Sequence, residues 1–197
     1  MAITKSQLLD AVNDALEREE TDIDSQISRV LFKISNKANF LADIDSTKTI
    51  DPDNPTMDFP DYYKTMDNIK LIDSNGNFTN ALSQLSYSEF LNSLTLRRSS
   101  VPNKYAIYNR QIYFSPLPIS EYTVELSYFK IHPPTPDDIL FDDRFLSVME
   151  SGSVYEVAFK FGLKEQISMW QQRYADDLND IMGYQMNPIY TTEFRLF

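Results

Sequence analysis

Hydrophobic period changes twice along this chain, and that change restricts its fold more than any other feature. Between Leu8 and Ala38 apolar residues recur at steps of three and four. Between Tyr105 and Tyr128 they alternate one in two. After Asp143 the longer step returns. Steps of three and four gather side chains on one face of a helix, and a step of two gathers them on one face of a strand. Helix, sheet, helix in that order predicts an α+β fold. Its parts are a helical bundle from the N- and C-terminal helices, a small antiparallel β-sheet or hairpin module inserted between them, and an extended C-terminal arm. The expected organisation is one domain over 1–183, with helices over 4–38 and 143–182 and a β-rich insertion over 39–132. The arm covers 184–197.

Local signals fill in this outline. Thr4 and Gln7 have the spacing of a capping box, and Leu8, Val12, Ala15 and Leu16 form the stripe behind it. A second helix starts near Thr21 or Asp22 and carries Ile23, Ile27, Val30, Leu31, Ile34 and Ala38. Each helix has one apolar face, so the two are expected to form a helical hairpin packed on something else. A strand is expected between Phe40 and Ile50, closed by the proline turn Asp51-Pro52-Asp53-Asn54-Pro55. Residues 66–85 read as strand, turn, strand about Ser74-Asn75-Gly76-Asn77, because Asn-Gly tolerates positive φ. Ser86 to Glu89 is a second capping box, opening a helix through Phe90, Leu91 and Leu94. Tyr105 to Tyr108 and Gln111 to Phe114 flank a tight turn at Asn109-Arg110. Tyr122, Val124, Leu126 and Tyr128 then alternate with polar residues until the prolines after His132 stop the strand. A helix from Asp142 or Asp143 presents Phe145, Val148, Met149, Gly152, Tyr155 and Phe159, and ends at Gly162. The next runs from Lys164 to Met182 with Ile167, Trp170, Tyr174, Leu178 and Ile181 on its face. Gly183 is its expected stop.

Composition removes whole classes of chemistry. Only 4 of the 197 residues are glycine, and neither glycine-rich phosphate-loop pattern is present, so a nucleotide has no backbone cradle. With no cysteine there are no disulfides or thiolate metal sites, and the one histidine, His132, beside a proline pair, cannot make an ordinary zinc site. As the only candidate base, His132 would also have to serve any Ser-His-Asp triad, and no nucleophile elbow accompanies it. Asp22 with Asp24, and Asp43 with Asp45, have acidic spacing without the rest of a calcium loop. Glu89, Glu121, Glu125, Glu150 and Glu156 are conceivable acids for glycan hydrolysis, which needs only two carboxyl groups ~5–10 Å apart. The reading is of a non-enzyme without a cofactor. Residues 1–5 lack the apolar stretch of a secretory signal, and no apolar run approaches the ~20 residues of a membrane helix. Synthesis in a host cytoplasm, with no membrane partner, is expected.

What remains is surface fit. Net charge is −11. Residues 1–60 carry 6 basic and 12 acidic side chains, 61–132 carry 7 and 6, and 133–197 carry 5 and 11. Acidic ends repel phosphate, which suits either plain solubility or a surface that lets nucleic acid pass without sticking. Arg97, Arg98 and Lys104 form the one basic cluster, either a contact for phosphate or an acidic partner or a solvated flank. Tyr105, Tyr108, Tyr113, Tyr122 and Tyr128 have the character of β-core residues more than of base-stacking ones. The segment after Gly183 is unusually aromatic. Tyr184, Ile189, Tyr190, Phe194, Leu196 and Phe197 suit an arm laid on a neighbouring protein, or one folded back on its own domain.

The block Pro102-Asn103-Lys104-Tyr105-Ala106-Ile107-Tyr108-Asn109-Arg110-Gln111-Ile112-Tyr113-Phe114-Ser115-Pro116-Leu117-Pro118 is followed by Tyr122 to Lys130 and a proline-rich break. A helical pair then carries Gly152 and Trp170-Gln171-Gln172-Arg173-Tyr174. With the N-terminal helical hairpin, this order resembles the head-to-tail adaptor, or connector, proteins of short-tailed bacteriophages, the ring beneath the portal. The resemblance covers most of the chain, and residues 39–85 match it loosely. It implies a virion structural protein of the neck, a ring, typically of twelve copies, on the portal protein. The ring extends the DNA channel, through which genomic DNA passes without specific binding during ejection, and receives tail nozzle and tail fibre proteins. Residues 184–197 stand where the family's C-terminal segments reach onto the portal. Arg97, Arg98, Tyr108 and Tyr113 become candidates for subunit or tail contacts. The alternatives are another neck or tail protein, such as a tail-completion ring, and a virion-associated peptidoglycan hydrolase.

Overall fold

A computed structural model describes residues 3–94, 99–186 and 189–190. In chain order its elements are α1 (Lys5–Leu16), α2 (Asp24–Lys37), β1 (Leu41–Ile50), β2 (Thr56–Asp58), β3 (Tyr63–Ile72), β4 (Ser83–Leu85), α3 (Tyr87–Leu94), β5 (Lys104–Tyr108), β6 (Gln111–Ser115), β7 (Tyr122–Lys130), α4 (Leu146–Phe161), α5 (Lys164–Asp180) and β8 (Ile189–Tyr190). The class is mixed α+β. The chain divides into two compact units, one of residues 1–42 with 130–197 and one of residues 43–129.

The first unit is built on α4. α1, α2 and α5 all pack against it, so the two N-terminal helices rest on α4 more than on each other. The Thr4 hydroxyl accepts the Gln7 amide (3.3 Å), and the Thr4 amide donates to the Gln7 side chain (2.9 Å), completing the capping box. Leu8, Val12 and Leu16 are buried behind it. α2 begins two residues beyond the expected Asp22, because the Asp22 carboxylate accepts the Asp24 amide and holds Ile23 outside the helix. Ile27, Val30, Leu31 and Ile34 are fully buried. A single apolar face describes α4 poorly. Ser151, Ser153, Val154, Glu156, Val157 and Ala158 are also buried, whereas Phe159, at 59% exposure, faces outward. Gly162 ends α4 in the left-handed region (φ 67°), as expected. Gly183 is no terminator; it lies within a 3-10 turn, Ile181–Met186, that continues from α5. β8 then pairs in parallel with Leu41 and Ala42.

The second unit holds more sheet than the pattern suggested. One sheet has the order β2-β6-β5-β4 and the other β3-β7-β1, with β8 beyond on the opening residues of β1. The β4–β5 and β1–β8 pairs are parallel, so neither sheet is purely antiparallel. The β5–β6 hairpin is as expected: Asn109 (φ 50°) and Arg110 (φ 62°) are both left-handed, which matches the twist of the flanking strands. On β7, Tyr122, Val124, Leu126 and Tyr128 are buried and join Ile50, Ile69, Ile112 and Phe114 in one core.

The hairpin expected over 66–85 forms at its turn and along part of its second arm. Gly76 (φ 79°) donates to the Asp73 carbonyl (3.0 Å), and the Asp73 carboxylate accepts the Asn75 and Asn77 amides (2.8 Å each). Past the Ile72–Phe78 bridge, Thr79 bonds back to Leu71 and the Leu82 amide donates to the Ile69 carbonyl (3.0 Å), after which Ser83–Leu85 joins β5 instead.

A methyl group at Gly152 would lie 2.8 Å from Tyr174 Cε2 and 2.9 Å from Val30 Cγ1. Gly→Ala in a helix interior ordinarily stabilises by about 1 kcal/mol. Here the overlap should outweigh that gain, for a net loss of about 1–2 kcal/mol. Denaturant unfolding of Gly152→Ala checks it; an unchanged or raised midpoint would show that the three helices have room to separate.

Candidate functional site

In the first unit, α2 and α5 border a groove of about 420 Å³, lined by Phe32, Lys33, Asn36, Lys37, Tyr174 and Leu178. Phe32 is 54% exposed although its neighbour Leu31 is fully buried. Beneath the groove lies the buried carboxylate of Glu156, bonded to Lys33 and 3.6 Å from Arg29. A buried carboxylate without such partners would be costly, so the two cations are structural. Tyr174 is itself buried, and its hydroxyl has no hydrogen-bond partner among the described residues. Burial, with the Glu156 carboxylate nearby, pushes the Tyr174 phenol well above its usual range and keeps it a donor.

In the second unit, α3 lays two rings against the β5–β6 hairpin. Tyr87 stacks on Tyr108 with centroids 4.1 Å apart and planes 8° apart; Tyr87 and Phe90 both lean on Tyr113. Tyr113 donates to Gln111, which donates in turn to Asp58 (2.9 Å), fixing one end of the array. Tyr108 remains half exposed and Tyr113 half-buried, while Tyr105, Tyr122 and Tyr128 are buried as core residues. The sequence reading singled out Tyr108 and Tyr113 but missed Tyr87 and Phe90. The Ser86–Glu89 capping box was the available signal, since it fixes which side of α3 carries them. That box is formed: the Ser86 amide donates to Glu89 (2.9 Å), and the Ser86 hydroxyl and amide hold the Glu89 carboxyl below its usual range. A cleft of about 480 Å³ lies near α3, with Leu85, Glu89, Ser93, Asn103 and Lys104 among its walls. Arg97 and Arg98 fall outside the described residues.

The candidate acids do not assemble. Glu89 is spent on its cap and Glu156 on its cations. Glu121, just before β7, and Glu125, within it, lie four residues apart, roughly 13 Å at strand rise, beyond the spacing of a glycosidase pair. Among the described residues no three metal-ligating groups gather in one place, the pairs at Asp22 and Asp43 included.

His132 does sit in a loop, but a buried one. The Leu140 amide donates to its Nε2 (2.9 Å), so Nδ1 carries the proton and donates to the Pro133 carbonyl (2.6 Å). The ring also stacks on Phe141. With both nitrogens committed, it is a structural residue and not a free base.

Of the arm, Ile189 and Tyr190 form β8, and the Ile189 amide donates to the Phe40 carbonyl (2.7 Å). Ile189 packs against the first unit's core. Tyr184 lies in the 3-10 turn after α5. Phe194, Leu196 and Phe197 fall outside the described residues.

Residues 3–192 match a protein-family model described as SU10 adaptor protein. No curated protein matches the chain.

Burial lowers the His132 pKa, with Lys130 adding to the effect and Asp138 opposing it. The folded state therefore favours the neutral ring. Its contribution to stability is complete above about pH 6.5, the unfolded value, and is lost as pH falls through the depressed folded value. His132→Gln should cost about 1–3 kcal/mol at pH 7 and flatten the decline in the window that opens below about pH 6.5. The hydrogen-bonded carboxyls of Asp51, Asp73, Asp142 and Glu89 are held low and act below that window. Denaturant melts of both proteins at several pH values check this; equal slopes would show the ring to be uncoupled from folding.

Proposed function

We propose, from the premise that this chain belongs to the SU10 adaptor protein family, a phage head-to-tail adaptor family, that it forms the ring joining a phage portal to its tail. Membership makes the chain a structural phage adaptor and a virion component. The finer reading is a ring of further copies of itself, twelve by the family resemblance, seated on the portal. The ring extends the DNA channel and gives tail nozzle and tail fibre proteins their attachment site. The family match over nearly the whole chain carries this reading, since it takes in both compact units. A net charge of −11 supports the channel role: an acidic lining repels the DNA backbone and keeps it moving.

The proposed division of labour follows the surfaces. Tyr184, Ile189, Tyr190, Phe194, Leu196 and Phe197, on the arm of 184–197, anchor the subunit on the portal. Aromatic side chains carry much of the energy of protein interfaces. The Tyr87–Tyr108 face, with Tyr113, Arg97 and Arg98, meets neighbouring subunits or the tail. Tyr108 suits such a contact because its ring is already held by Tyr87, so little side-chain freedom is lost on binding.

The chain mixed with its purified portal should co-elute in size-exclusion chromatography. Replacing Phe194, Leu196 and Phe197 together by serine should weaken that association at least about tenfold while leaving thermal stability unchanged. Undiminished binding by the triple variant would remove the arm as anchor. Tyr108→Ser should leave portal binding intact and lower the yield of closed rings, read by analytical ultracentrifugation.

A further inference from the structure

We propose that copies of this chain join head to tail through two oppositely charged helix faces of the first unit, the outer face of α2 on one copy meeting the outer face of α1 on the next. Identical subunits of net charge −11 repel one another, so a contact between copies gains most where it brings opposite charges together. The first unit carries both signs, on separate helices.

The α2 face is the positive one. Arg29, Lys33 and Lys37 recur at steps of four, and all three are exposed, as is Asn36 beside them. Arg29 and Lys33 reach the buried Glu156, yet their side chains remain 62% and 46% exposed. Glu156 offsets one of the three cations, which leaves the face positive. Lys37 has no ion-pair partner among the described residues. Phe32, 54% exposed, adds apolar area next to the charges.

The α1 face is the negative one. Asp10, Asp14 and Glu17, at steps of four and three, form one exposed stripe that runs to the end of the helix. None of the three has an ion-pair partner among the described residues. The basic residues at either end of this stretch do not reach them, since Lys5 pairs with Asp24 and Arg18 with Glu20. The spacings of the two faces match. Four residues rise about 6 Å along either helix, so Asp10 and Asp14 on one copy are set as far apart as Lys33 and Lys37 on the other. Because the faces differ and belong to one compact unit, each copy would use α1 toward one neighbour and α2 toward the other. Such a heterologous contact closes into a ring when the rotation between neighbours allows it.

The partner, a second copy, rests on the ring reading, but the test uses the chain alone and needs no portal, so the two can fail separately. Sedimentation equilibrium over a concentration series should show self-association. It should weaken at least about tenfold between about 10 mM and about 150 mM salt, as the Debye length falls from about 30 Å to about 8 Å. Asp10→Lys with Asp14→Lys raises the net charge by four, to −7. General repulsion alone would make this variant associate more tightly than the unaltered chain; the charged contact requires association at least about tenfold weaker. Lys37→Glu should weaken it too. Mixed in equal amounts, the two variants should associate again, because the unaltered α2 of the first can meet the unaltered α1 of the second. All three positions are exposed, and circular dichroism checks that the fold is kept. A chain that stays monomeric throughout would overturn the proposal. So would association indifferent to these changes, or variants that gain nothing on mixing. None of these results bears on co-elution with the portal, which judges the adaptor reading by itself.

Discussion

At Gly152 there is no space for even a methyl group, because Tyr174 from α5 and Val30 from α2 both approach the α4 backbone there. That closeness organises the helical unit. With α2 and α5 drawn onto one point of α4, most of α4's circumference is enclosed, and Glu156 one turn on is carried into the interior. Its charge is tolerated because Lys33 and Arg29 reach it from α2. The ring of Tyr174 is fully engaged at the glycine, which leaves its hydroxyl in the interior without an acceptor. The groove beside it follows from the same packing.

The second unit is organised by a turn instead. Two left-handed residues, Asn109 and Arg110, set the β5–β6 register, and that register places Tyr108 opposite Gln111 and Ala106 opposite Tyr113. α3 then stacks its rings on the finished hairpin. The result is a rigid aromatic surface whose members are fixed before any partner arrives. Both units thus offer ordered apolar groups at the surface, the equipment of a protein that works by fitting against others.

Legibility in the sequence tracked the range of the interactions involved. The Thr4–Gln7 and Ser86–Glu89 caps, the Asn109-Arg110 turn, the alternation on β7 and the stop at Gly162 all span a few residues, and all are present as read. Features set by distant partners were not legible. β4 pairs with β5 across the whole of α3, which no local pattern encodes, so residues 66–85 looked like a simple hairpin. α4 looked amphipathic because its serines and Glu156 are polar, yet its small side chains are what allow neighbours on several sides. His132 read as an ordinary loop residue; its burial depends on Leu140 and Phe141, eight and nine positions away. The surfaces were half legible: Tyr108 and Tyr113 stood out by type, but their partners Tyr87 and Phe90 come from another element.

Membership of a structural adaptor family and a chain rich in aromatic contact surface both support the proposed place in a phage particle, the junction of head and tail. Electron cryo-microscopy of the virion that carries this chain tests that placement most directly. The account predicts a ring of density directly beneath the portal into which both compact units fit, with the segment after Tyr190 running onto the portal. Finding the two units elsewhere in the particle, at the tail tip for example, or finding no copy of them in the mature virion, would contradict it.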